Sequence, residues 1–205
     1  VALKKNLDQK IKPGRYKIES GTDNTDLVNM IKAGNQTESS FRIGDFNDVY
    51  QMIGRVSRKT EADSLTFVKE FNKIAVSKGY NNAEDLKKYF FADTYQFFWT
   101  VKPAEFFEKF ENQYQEFWNE ERLAKERKLN LSREEIYALA SIVYKESGGK
   151  TDEQKTIAGL YLNRVRKGMK LQSDPTVIYA INKENNFTQD IKRVLYKHLS
   201  FPSPY

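Results

Sequence analysis

The stretch SREEIYALASIVYKESGG, residues 132–149, decides how the second half of this chain folds. Ser132 with Glu135 three residues on is a capping box, in which each side chain serves the other's backbone N–H. Ile136, Leu139, Ala140 and Val143 then recur at i, i+3, i+4 and i+7, the spacing of one helical face. Three residues further on, the same face reaches Glu146, just before Gly148-Gly149, a helix stop. A carboxylate is thereby predicted on the apolar side of its helix, in the last turn. The helix macrodipole favours Glu134 and Glu135 in the first turn and opposes Glu146 by about 0.3–1 kcal/mol. Burial on the apolar side acts in the same direction and more strongly, so both favour the neutral carboxyl that a general acid uses. The same position also suits a helix-end glutamate that reaches water or pairs with a lysine.

Working outward, Thr151-Asp152-Glu153-Gln154 reads as a second capping box. It opens a helix with Ile157, Ala158, Leu160, Tyr161 and Val165 turned inward and a stop at Lys167-Gly168. In the polar turn from Leu171 to Val177, Asp174 can cap and Pro175 can begin another short helix. Two helices and a turn could carry Gln172 and Asp174 towards Glu146, although capping alone also accounts for Asp174. Upstream, Pro103 starts a helix whose stripe of Phe106, Phe107, Phe110, Tyr114, Phe117 and Trp118 packs on a core; a sugar-stacking platform is the other reading. That helix is predicted to run to Asn130, within a stretch that is mostly helical from Ser64 onward. Before it, Arg15–Glu19 and Phe41–Ile43 read as short strands. Asp23-Asn24-Thr25 caps a helix over Asp26–Lys32 that stops at Ala33-Gly34, and Asn47–Arg58 is a second amphipathic helix. The fold class is α+β, with a small α+β unit over residues 1–62 and a larger, mainly helical domain over residues 63–205.

Composition narrows the chemistry. The 205 residues include 14 Phe, 12 Tyr and 2 Trp, enough apolar area for a sizeable core and far from a disordered composition. With no cysteine there are no disulfides, Cys–zinc sites, iron–sulfur clusters or thiol nucleophiles. A single histidine, His198, gives no support to an HExxH zinc site, a three-His site or a Ser-His-Asp triad. No metal site or cofactor is expected; catalysis would rest on carboxylates, hydroxyls, Lys or Arg. The net charge of +6 is interspersed with acids, as in residues 120–128 (EERLAKERK), so nucleic acid is not an expected partner. No apolar run is long enough for a membrane span, and Val1 and Tyr205 both read as cut ends of a longer chain.

Three segments carry a resemblance. ASIVYKESG (140–148), IAGLYLNR (157–164) and KGMKLQSDPTVIY (167–179) resemble the YceG-like endolytic murein transglycosylases. Residues 89–97 (YFFADTYQF) are similar to that family's Phe-Pro-Asp-Thr-Tyr block, with Ala92 in place of proline. Ser203-Pro204-Tyr205 resembles the start of its Ser-Pro-Tyr-Asn-Thr-Tyr segment, and the region from Gly14 to Gly34 resembles its LysM-like subdomain. Tyr144 stands where the family often has a glutamate, which leaves Glu146 as the acid of this stretch.

The resemblance implies a LysM-like unit over residues 1–62 and a catalytic transglycosylase domain over 63–205 whose cleft continues past Tyr205. It implies cleavage of the β-1,4 bond between N-acetylmuramic acid and N-acetylglucosamine inside peptidoglycan glycan strands, leaving 1,6-anhydro ends. Glu146 would protonate the glycosidic oxygen and then take the proton of the muramoyl 6-hydroxyl. One carboxyl acting as acid and then base dispenses with the paired acids of hydrolytic glycosidases. Gln172, Asp174 and Asn163 are candidates for orienting the glycan or supporting Glu146, and Ser147 for donating a hydrogen bond there. The resemblance further implies a single-pass anchor in the cytoplasmic membrane that precedes this chain, a catalytic part on the outer side, and peptidoglycan synthases as partners. The rival is a non-catalytic peptidoglycan-binding or scaffold module in which Glu146 is inert.

Overall fold

The computed structural model describes residues 11–44, 46–188, 191 and 193–203. The expectations for Val1 to Lys5 and for Pro204-Tyr205 lie outside the described residues. The described elements run α1 (Asn24–Ala33), β1 (Ser39–Ile43), α2 (Val49–Val56), α3 (Ser64–Ser77), β2 (Asp93–Phe97), α4 (Pro103–Phe117), α5 (Glu120–Leu129), α6 (Arg133–Glu146), α7 (Thr151–Arg166) and α8 (Asp174–Glu184). Short 3₁₀ turns follow α2 and precede β2. This is a mainly helical α+β chain. Among the described residues no helix is long and apolar enough to cross a membrane.

The chain divides into two compact units, Val1–Asn119 and Glu120–Tyr205. The expected boundary after residue 62 therefore falls inside the first unit, and the reason is strand pairing. β1 pairs antiparallel with β2, Phe41 opposite Tyr95 and Ile43 opposite Asp93. In each strand alternate residues are buried, Phe41 and Ile43 on one, Tyr95 and Phe97 on the other. That buried face and the buried side of α2 (Val49, Met52, Ile53, Val56) share one core with Phe67, Phe71, Phe106, Phe107 and Phe110. Phe71 lies at its centre, stacked on Phe90 with centroids 5.9 Å apart and edge-on to Phe67 and Phe107, each at 5.8 Å. The aromatic stripe of α4 is thus core, except that Phe117 stays partly exposed.

Local chemistry accounts for most boundaries. Asp23 caps α1, accepting from the Thr25 and Asp26 N–H groups, and Gly34 closes it in the left-handed conformation. Three expectations are corrected. Residues 15–19 do not form a strand: the Thr37 N–H donates to the Arg15 carbonyl, but the Lys17 N–H is taken by the Thr37 hydroxyl, which breaks the ladder. The strand lies instead at Asp93–Phe97, inside a stretch expected to be helical. The predicted helix from Pro103 to Asn130 is two helices, interrupted at Trp118-Asn119, where Trp118 leaves helical geometry with ψ 54°.

The second unit carries α5 to α8. Ser132 and Glu135 form the predicted capping box, with the Glu135 N–H donating to Ser132 Oγ at 3.2 Å and the Ser132 N–H to Glu135 Oε2 at 2.7 Å. Gly148 and Gly149 adopt φ of +58° and +84°, a backbone that residues with a Cβ rarely take, and this ends α6 immediately after Glu146. The second predicted box does not form. Lys150, not Thr151, is the residue before α7, and no side chain caps that helix.

Candidate active site

All the hydroxyl and carboxyl groups of the candidate site belong to the second unit. α6 delivers Glu146 in its last turn, α7 delivers Tyr161 midway along, and the turn before α8 delivers Ser173. The Tyr161 phenol donates to Glu146 Oε1 at 2.8 Å and the Ser173 hydroxyl donates to the same oxygen at 2.7 Å. Tyr161 and Ser173 are only 6% and 2% exposed, so their hydroxyls have little water to turn to and the carboxylate is their partner. Glu146 itself is exposed. The expected burial of Glu146 against its apolar stripe is thus corrected: Val143 is the buried residue of α6, and two hydroxyls rather than apolar walls hold the carboxyl.

Ser173 explains a second difference. It occupies the cap position of α8, where serine ordinarily accepts from the first-turn N–H groups, yet it makes no such bond. Its hydroxyl is spent on Glu146 instead. Asp174, expected as the cap, is the first residue of α8 and is exposed, with Pro175 following it. The turn that presents Ser173 is held by Arg164, which donates to the Lys170 carbonyl at 2.8 Å and to the Gln172 side-chain oxygen. Gln172 bends the turn with φ +53°.

The Tyr161 phenol is held above its ordinary pKa, first by burial and then by its hydrogen bond to Glu146; Ser173 and Arg164 pull the other way. A neutral phenol that donates to a carboxylate resists losing its proton.

Of the residues expected at the site, Glu146 is at its centre. Gln172 and Asp174 flank Ser173, and Gln172 points its oxygen at Arg164 rather than at Glu146. Asn163 is exposed and lies two positions beyond Tyr161, which places it on a different face of α7. The Ser147 hydroxyl is buried at the end of α6, donating to the Tyr144 carbonyl at 3.0 Å and accepting from the Gly149 N–H at 3.2 Å. It closes the helix rather than facing outward. Tyr161 and Ser173 were not among the expected site residues. The available signal was a tyrosine on the inward stripe of α7, whose buried hydroxyl needs a polar partner.

The chain is a mainly helical α+β protein that presents a hydroxyl-bound carboxylate at a glycine-terminated helix end, and among the described residues no second acid is bonded to it. The YceG-like family model matches residues 1–205, and the chain belongs to the YceG-like family. It is 40% identical over 79 residues to an endolytic murein transglycosylase of Bacillus subtilis, a match covering 38% of this chain and 20% of that relative. It is 44% identical over 54 residues to an endolytic murein transglycosylase of Streptococcus pneumoniae, covering 26% and 10%. The matched stretches thus span a fifth or less of these curated relatives. The fold is similar to the crystal structure of a yceG-like protein from Listeria monocytogenes, with TM-score 0.63 and 22% identity over 98% of this chain and 70% of that one.

Proposed function

We propose that this chain is the transglycosylase part of an endolytic murein transglycosylase, a lyase that cuts peptidoglycan glycan strands and leaves 1,6-anhydro ends. The observation that carries the reading is Glu146, set at the end of α6 with one oxygen held by Tyr161 and Ser173. In support stand membership of the YceG-like family and the similarity to relatives named endolytic murein transglycosylases. In this reading Glu146 protonates the glycosidic oxygen between N-acetylmuramic acid and N-acetylglucosamine as the C1–O bond breaks. The resulting carboxylate then removes the proton of the muramoyl 6-hydroxyl, whose oxygen closes on C1. A single carboxyl completes the cycle, and water is not a reactant.

The wider reading rests on the family resemblance. Residues 1–62 are a LysM-like glycan-holding region, the protein is anchored in the cytoplasmic membrane with this part outside, and peptidoglycan synthases work beside it. One observation favours a second reading, a non-catalytic glycan-binding module: the exposure of Glu146, which a general acid usually avoids. Incubation of purified murein with the protein, followed by mass spectrometry, separates the two. Anhydro-muropeptides released from within strands support the lyase; retention on murein without cleavage supports the module.

A further inference from the structure

Both bonds to Glu146 fall on the same oxygen. Tyr161 and Ser173 come from different elements, yet their hydroxyls meet at Oε1 with nearly equal distances of 2.8 and 2.7 Å. A carboxylate oxygen offers about two lone-pair sites, so two donors occupy Oε1 and leave Oε2 as the oxygen able to bind a proton. We infer that Tyr161 and Ser173 are positioning residues that anchor Glu146 through Oε1 and reserve Oε2 as the oxygen that gives and takes the catalytic proton. The inference rests on the lyase reading above for what that proton does, and on the geometry alone for which oxygen carries it.

The arrangement has a chemical logic. In the neutral carboxyl with its proton on Oε2, Oε1 is a carbonyl oxygen, which still accepts from both hydroxyls. In the carboxylate, Oε1 accepts from them again. The clamp therefore survives both protonation states, and neither half of the reaction has to rebuild it. In the first half, the Oε2–H proton passes to the glycosidic oxygen as the C1–O bond breaks and its electron pair leaves with that oxygen. In the second half, the 6-hydroxyl oxygen forms its bond to C1 while its proton passes to Oε2. The cycle returns Glu146 to its starting state, with no other reactant. Anchoring matters because Glu146 is exposed: without the clamp, the side chain of a helix-end glutamate samples rotamers in water, and the effective molarity of a positioned acid is lost.

The residues around the pair fit this division. Arg164, on the same helix as Tyr161, is committed to the Lys170 carbonyl and Gln172, and so holds the turn that presents Ser173. Tyr161 and Ser173 each donate their one hydroxyl proton to Glu146 Oε1, so the two hydroxyls are joined through that oxygen. The Tyr161 phenol, held above its ordinary pKa by burial and by its bond to Glu146, provides a readout independent of turnover.

The test uses Tyr161→Phe, Ser173→Ala, the double variant, Ser173→Thr and Glu146→Gln in the intact protein. Kinetics on purified glycan strands should show kcat reduced about tenfold or more in each single hydroxyl variant, with KM within about twofold. The double variant should lose less than the product of the singles, since both act on one oxygen. Ser173→Thr, which keeps the hydroxyl, should recover most of the Ser173→Ala loss. The second arm follows the Tyr161 phenol by carbon-13 NMR, assigned from its disappearance in Tyr161→Phe. Its titration midpoint should fall in Glu146→Gln, which removes the charge that holds its proton. Hydroxyl variants with unchanged kcat beside an inactive Glu146→Gln overturn the clamp and leave the lyase reading standing. A fully active Glu146→Gln overturns Glu146 as the proton carrier and with it the clamp, and the midpoint shift then decides only whether Tyr161 bonds Glu146. A midpoint unmoved in Glu146→Gln overturns the bond between Tyr161 and Glu146.

Discussion

At Glu146 the balance lies between exposure and fixation. The carboxyl is open enough to meet a polymer and yet has one oxygen tied to two buried hydroxyls. The helical face that leads to Glu146 was legible, because i, i+3, i+4 spacing and the Gly-Gly stop are local signals. Its partners were not. Tyr161 reads as one more inward apolar residue until α7 is packed on α6, and Ser173 draws no reading beside Asp174, the expected cap. Ser147 shows the opposite error, since adjacency in sequence placed it near the acid while its hydroxyl closes the helix end. The first unit offers a residue-scale prediction. Burial, and secondarily Asp93, push the Tyr95 phenol up to about 12, with Gln113 opposing. The unfolded phenol releases its proton near pH 10, so this contribution to stability is complete below pH 10 and is lost as pH rises towards 12. Urea unfolding between pH 9 and 11.5 should show a midpoint that falls above pH 10. In Tyr95→Phe, the fall should be smaller.

Among the elements, α6 has the most explicit sequence signals. Its capping box forms as expected, and Ser132→Ala should cost about 1 kcal/mol, read as a lower urea midpoint with unchanged slope. α7 shows the limit of such signals. Thr151 carries the same motif, yet the chain enters the helix one residue earlier and leaves it uncapped. β2 was hidden for another reason. Its Thr94-Tyr95-Gln96-Phe97 alternation is strand-like, but it is five residues long, and its partner lies some fifty positions upstream. A period of two in so short a run is outweighed by the helical spacing on both sides. The break between α4 and α5 is equally local: one turn of non-helical backbone at Trp118 divides what periodicity joins.

On the scale of the whole molecule, long-range pairing rather than composition decides where the units divide. Because β1 and α2 share their core with α3, β2 and α4, removing residues 1–62 should expose Phe67, Phe71 and Phe106 and unfold the first unit. Circular dichroism and tyrosine fluorescence of that truncation check the outcome; a soluble remainder with native-like melting would contradict it. Phe71→Ala should cost about 3–5 kcal/mol by urea unfolding, as a fully buried ring among aromatic neighbours. In the proposed function, the chemistry rests on one side chain of the second unit, Glu146. Glu146→Gln preserves shape and the oxygen that accepts from Tyr161 and Ser173, but it removes the proton carrier. The decisive measurement is mass spectrometry of muropeptides released from purified murein by the folded Glu146→Gln protein beside the unaltered one. The account predicts anhydro-muropeptides from the unaltered protein and a loss of at least about a thousandfold in the variant, with its melting temperature unchanged. Anhydro products at the unaltered rate from a well-folded Glu146→Gln protein would contradict it.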